Sequence, residues 1–135
     1  MTLASEIGAK RVMHLPVSVP THCDLMIPAA RRLTIHLTET RIRSADVRVV
    51  HSTDARSYED ADALEYARVR QLYSPVRWMG TVRAFATLGA TRVLEFDTGR
   101  VLTGLAKRID RSFQSLYVHD PSSLEQTLAK FGTLV

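Results

Sequence analysis

Cysteine, lysine, glycine, proline and aromatic residues are all scarce in this 135-residue chain. The single cysteine, Cys23, cannot form a disulfide within the chain. It fits a reducing compartment, read here as the cytoplasm. Six glycines and five prolines exclude collagen-like and low-complexity classes. No stretch approaches the ~18 uninterrupted apolar residues of a membrane span. The first residues carry neither an apolar h-region nor a small-residue cleavage site, so they do not read as a signal peptide. Lysine occurs only at Lys10, Lys107 and Lys130.

What is present is enough for one folded unit. Hydrophobic residues make up 45% and charged residues 24%, values of an ordinary globular domain rather than a disordered chain. A chain near this length buries roughly 68–70% of its unfolded surface, which supports one core and not two. The net charge is +4, and 15 arginines supply most of the positive charge. A basic surface favours acidic partners, but its sign alone does not name them.

Residues 12–19 (VMHLPVSV) alternate roughly apolar and polar and predict a strand. Pro16 confines that strand to an edge or interrupts it. Residues 25–37 carry apolar side chains at 3–4 spacing and predict a helix, with Asp24 as N-cap and Pro28 in the first turn. Val47, Val49 and Val50 predict a short strand. Residues 59–72 are acidic at the start and arginine-rich at the end, as a helix dipole prefers. Pro75 is read as opening a helix to about Leu88, stopped by Gly89. Then come a strand over 91–96, a helix over 100–109, a strand over 112–118 and a helix over 122–131 behind Asp120 and Pro121. The alternation predicts an α/β fold with parallel strands.

Motifs of known chemistry are mostly missing. The five histidines, His14, His22, His36, His51 and His119, form no H-E-x-x-H and no i, i+4 pair, so no metal site is expected. Gly99-x-x-x-x-Gly104 has the glycine frame of a phosphate loop, but Leu105 stands where such a loop needs lysine. Its glycines read as a tight turn into a helix. Arg31, Arg32, Arg41, Arg43 and Arg48 read as a solvated basic face rather than a nucleic-acid site, because no binding motif accompanies them. There is no G-x-S-x-G nucleophile elbow. Cys23 follows His22 directly, and adjacent side chains point different ways, which disfavours a Cys–His pair. His22 itself lies after a strand signal and before a helix signal, where an α/β enzyme often sets a base. From the residues alone, a general base and a packed loop histidine both remain open.

Longer segments add a resemblance. Gly8-Ala9-Lys10-Arg11, Leu15-Pro16-Val17-Ser18-Val19-Pro20-Thr21-His22-Cys23, Val69-Arg70-Gln71-Leu72-Tyr73-Ser74-Pro75-Val76-Arg77-Trp78 and Gly99-Arg100-Val101-Leu102-Thr103-Gly104-Leu105 occur in one order and spacing. Together they resemble the malonyl-CoA:acyl carrier protein transacylases of fatty-acid synthesis. The resemblance covers almost the whole chain, but only the C-terminal portion of such an enzyme.

The resemblance implies an α/β-hydrolase-like acyltransferase domain with a ferredoxin-like subdomain. Residues 11–19 would be the last strand of the small subdomain, and 24–135 part of the large domain. It implies His22 as the general base, with the main-chain carbonyl of Gln71 holding its tautomer in place of an aspartate. The serine nucleophile, the arginine that pairs with the malonyl carboxylate and the oxyanion-hole glutamine have no counterpart here. The implied substrates are malonyl-CoA and the phosphopantetheine-bearing acyl carrier protein, with no cofactor, metal, membrane or nucleic acid. A serine-bearing N-terminal half would be a further partner, and the chain alone is expected to be inactive. The second reading is a catalytically silent remnant or interaction module that binds an acidic partner. Two positions depart from the family: Asp97-Thr98-Gly99 replaces G-P-G, and Arg68 replaces an apolar residue, which is costly if that face is buried.

Overall fold

In the computed structural model, residues 2–14, 17–44, 46–97 and 99–132 are described. A short helix not foreseen from the sequence, α1 (Thr2–Glu6), comes first. Gly8 ends it at φ 95°, with Gly8 N–H donating to Ser5 O and Ala9 N–H to Ala4 O. That pair of bonds needs a left-handed residue, which glycine supplies without strain. Leu3 and Ile7 remain exposed.

The strand predicted over 12–19 is not formed among the described residues of that stretch, and Leu15 and Pro16 lie outside them. A strand needs a neighbour to take its backbone hydrogen bonds. The two sheets of the described residues hold other segments only. Alternation of apolar side chains states a preference but cannot supply the neighbour.

A 3₁₀ turn, Asp24–Met26, leads into α2 (Ile27–Thr38). Pro28 sits in the first turn of α2 as predicted, but the Asp24 side chain makes no cap bond. The strands β1 (Val50–His51) and β2 (Arg56–Ser57) form a small antiparallel hairpin. The strand expected at 47–50 therefore contributes only Val50, and its pairing is antiparallel rather than parallel. Next come α3 (Ala61–Gln71) and α4 (Trp78–Thr87). Asp60 caps α3 by accepting from Ala63 N–H at 2.9 Å. α2 packs against α3, and the buried residues of the pair are Ala30, Leu64 and Ala67.

Pro75 does not open α4, which begins three residues later. The intervening segment is committed to other hydrogen bonds, described below. Gly89, at φ 83°, closes α4 as Gly8 closes α1, with Ala90 N–H donating to Phe85 O and Gly89 N–H to Ala86 O.

The remaining elements are β3 (Arg92–Phe96), α5 (Val101–Ile109), β4 (Gln114–Val118) and α6 (Pro121–Phe131). β3 and β4 pair in parallel, Val93 opposite Ser115 and Glu95 opposite Tyr117, so α5 is the crossover helix. The core lies where Val82 of α4, Ala106 of α5 and Phe113 meet, with Trp78, Phe85, Val93 and Ile109 around them. Arg92, beside Val93, instead lies over the Phe131 ring of α6 at 5.0 Å. Successive strand residues face opposite sides, so α4 and α5 cover one face and α6 the other. This is the α/β layering read from the sequence, in partial form.

The glycine frame at 99–104 also finds its explanation. The buried Glu95 carboxylate accepts from Leu102 N–H at 3.0 Å, Thr103 N–H at 2.7 Å and Thr103 Oγ1 at 2.5 Å. The N-terminus of α5, where a phosphate loop would bind its anion, is filled by the chain's own carboxylate.

Candidate active site

His22 sits in the turn between residues 19 and 24, with Thr21 N–H donating to Val19 O at 2.8 Å. Its backbone is left-handed, φ 64°, one of two such non-glycine residues among those described; Ala55 is the other. A β-carbon in this region carries steric cost, so neighbouring bonds must hold it. They come from the end of α3. His22 N–H donates to Leu72 O at 2.8 Å. The ring nitrogen Nδ1 lies 3.0 Å from Gln71 O and 3.2 Å from Ser74 O.

The two contacts decide the tautomer. Both partners are carbonyl oxygens and can only accept. Nδ1 must therefore carry the proton, shared between them, and in the neutral ring Nε2 carries the lone pair. Among the described residues no hydrogen bond occupies Nε2. The half-buried ring thus presents a base held in one orientation.

The last carbonyls of a helix have no partner within it. Gln71 is the last residue of α3, and Pro75 follows closely with no N–H to offer. The chain leaves the helix with its acceptors turned to His22. Arg77 N–H goes to Ser52 O at 2.7 Å, and Arg77 itself has a non-helical backbone, φ −98° and ψ 56°, just before α4 begins. The Gln71 carbonyl was expected from the sequence; those of Leu72 and Ser74 were not. The signal for them was present as a helix end followed by Ser-Pro.

The other candidates are not drawn to this place. Cys23 Sγ contacts the carbonyl of Pro20 at 3.2 Å. His51 is buried against Tyr58; burial lowers its basicity, Asp54 works against that, and Arg68 adds to it. His119 pairs with Asp120, Nε2 to Oδ2 3.1 Å. Among the described residues no three His, Cys, Asp or Glu side chains are arranged to hold a metal ion. Among the described residues no helix is long and apolar enough to cross a membrane. Arg31, Arg32, Arg41, Arg43 and Arg48 are all exposed. Arg68 is exposed too, so the burial cost considered for it does not arise in this chain.

Compared with models of protein families, the chain matches none. Individual proteins do match. The malonyl CoA-acyl carrier protein transacylase of Salmonella typhimurium is 42% identical over 123 residues, 91% of this chain and 40% of that protein. The crystal structure of the malonyl-CoA:acyl carrier protein transacylase of Xanthomonas oryzae pv. oryzae superimposes with a TM-score of 0.88 at 37% identity. It is covered to 41% by 96% of this chain. A malonyl-transacylase solved in complex with its type II polyketide synthase acyl-carrier protein gives a TM-score of 0.87 at 41% identity, with 96% of this chain and 42% of that one covered. The chain therefore spans about 40% of the length of the curated relatives it matches. Along nearly all of its length the chain is thus similar, in sequence and in fold, to the C-terminal portion of malonyl-CoA:acyl carrier protein transacylases.

Proposed function

We propose that this chain supplies the general base of a malonyl transfer from coenzyme A to acyl carrier protein. The observation that carries the reading is the orientation of His22, with Nδ1–H given to Gln71 O at 3.0 Å and Nε2 left as the acceptor. A serine hydroxyl from the remainder of the fold would give its proton to Nε2. The serine oxygen would bond to the thioester carbonyl carbon of malonyl-CoA, the carbon–sulfur bond would break, and Nε2 would return the proton to the departing thiolate. The same steps, with the phosphopantetheine thiol of the carrier as nucleophile, would release the malonyl group from serine. While Nε2 holds the proton, the carbonyls at the negative end of α3 stabilise the charge on the ring.

In this reading residues 11–19 are the last strand of a small subdomain and 24–135 are part of the large domain. The location is cytoplasmic, where a lone reduced cysteine is at home. A positioned base contributes about 10²–10⁴-fold only when it has a nucleophile to act on. The chain alone is therefore expected to give no malonyl adduct by mass spectrometry after incubation with malonyl-CoA. Adding the serine-bearing portion of the Salmonella relative is expected to restore transfer, and His22→Ala to abolish it. Restored transfer indifferent to His22→Ala would overturn the assignment. The exposed arginines and basic balance favour a second reading, a silent module that binds an acidic partner. It would stand if the serine-bearing portion assembled with this chain and no transfer followed.

A further inference from the structure

The carbonyls that grip His22 come from residues 49 to 52 positions further along the chain. Something other than chain connectivity must hold them in place. The end of α3 is tied to the β1–β2 hairpin at two points. Upstream, Arg70 Nη1 lies 3.7 Å from Asp54 Oδ2, while the Arg70 carbonyl accepts from both Tyr73 N–H and Ser74 N–H. Downstream, Arg77 N–H donates to Ser52 O at 2.7 Å. Between these points lie Leu72 and Ser74, whose carbonyls reach His22.

Asp54 is where the hairpin's own bonds converge. Its Oδ2 accepts from Tyr58 Oη at 2.5 Å and its Oδ1 from Arg56 N–H at 3.1 Å. The next residue, Ala55, is the second left-handed non-glycine residue, φ 61°. A β-carbon on Gly80 of α4 would lie 3.3 Å from the Ala55 β-carbon, so the hairpin tip closely approaches the start of α4. The two strained non-glycine positions thus occupy the two ends of one connected structure, the histidine and its support. Strain of this kind persists only where surrounding bonds over-determine the conformation.

We infer that Asp54 is a positioning residue for His22, acting through Arg70 and the 71–74 turn to hold the carbonyls that set the imidazole tautomer. The inference rests on the reading of His22 as the base, but its test needs no turnover. Long-range ¹H–¹⁵N correlation of the ¹⁵N-labelled full chain reports the tautomer of each histidine, and His22→Asn identifies the His22 signals. The unaltered chain is expected to show His22 as Nδ1–H. Asp54→Ala is expected to lose that dominance severalfold, toward the mixture of a free imidazole, with Val82 and Phe113 signals unchanged. Asp54→Asn keeps one acceptor oxygen, enough for Arg56 N–H or Tyr58 Oη in the present geometry but not both, and loses the charge facing Arg70; it is expected to fall between.

If Asp54→Ala disturbs the core signals, Arg70→Ala decides, since it removes only the link to the hairpin. A His22 tautomer unchanged in Asp54→Ala, or in Arg70→Ala where that variant decides, overturns the inference. An Nε2–H tautomer in the unaltered chain would instead overturn the reading of His22 as the base.

Discussion

The stretch from α4 to α6 and the stretch before it are built differently. The later one has a parallel strand pair with helices on both faces, and Val82 and Ala106 are fully buried with Phe113 at 4% exposure. The earlier one has two-residue strands and a helix, α2, whose only buried residue is Ala30. Leu25, Ile35 and Val47 stay 74%, 62% and 73% exposed there. Consecutive β-α-β-α elements pair with their neighbours in sequence and so bury a core from local material. The earlier stretch has few such neighbours, and it is the one that holds His22. The candidate base is therefore held by backbone hydrogen bonds rather than by a core.

The sharpest way to break this contrast is to truncate one apolar side chain in each stretch. Phe113→Ala is expected to cost about 3–5 kcal/mol by urea unfolding, the usual range for a buried phenylalanine. Ile35→Ala, on an exposed site, is expected to stay within about 0.5 kcal/mol. Equal losses would mean that the two stretches share one core after all.

Next in size is Glu95. Burial pushes its carboxyl upward, but the Thr103 hydroxyl and the N–H groups of Thr103 and Leu102 outweigh it and hold the group below its ordinary value. Glu95→Gln is expected to cost about 2 kcal/mol at neutral pH, since hydrogen bonds to a charged group are lost. The stabilisation is present above the unfolded carboxylate range and is lost as pH falls through the folded value. The unaltered chain should therefore lose stability on acidification, and the glutamine variant should lose less. Denaturant titrations at neutral and acid pH check this, and parallel slopes for the two proteins would remove Glu95 from the account.

The smallest effect tests the earlier stretch alone. Asp60→Ala removes the cap of α3 and is expected to cost about 1 kcal/mol. Amide hydrogen exchange should quicken along 61–71 and stay unchanged along 92–118. Faster exchange in β3 and β4 would show the two stretches to be coupled.

These contrasts also mark what could be read in the sequence. Where an element is closed by its own residues, its bounds were legible: Asp120 and Pro121 at the start of α6, Gly89 at the end of α4, Pro28 in the first turn of α2. Where an element depends on a distant neighbour, pattern misled. Residues 12–19 have strand periodicity but no partner strand among the described residues, and Pro75 has the look of a helix start while its surroundings are bonded to His22 and Ser52. His22 and Gln71 were singled out by resemblance, not by local chemistry. The Leu72 and Ser74 carbonyls were not, because main-chain acceptors carry no residue-type signal of their own and only the helix end followed by Ser-Pro marked the place. Asp54, Tyr58 and Arg70 are ordinary surface-type residues, and only their proximity makes them a network.

The left-handed backbone of His22 has a consequence for how this position would drift. Glycine adopts that conformation at no steric cost, and asparagine more readily than most other residues. A histidine tolerates it better than most side chains, yet still carries a β-carbon that glycine lacks. Were the ring's chemistry no longer demanded, substitution to glycine or asparagine would relieve the backbone while leaving the N–H bond to Leu72 in place. The identity of residue 22 in close relatives would thus serve as a test of use: histidine is expected where the ring's chemistry is demanded, and a turn-forming residue where it is not.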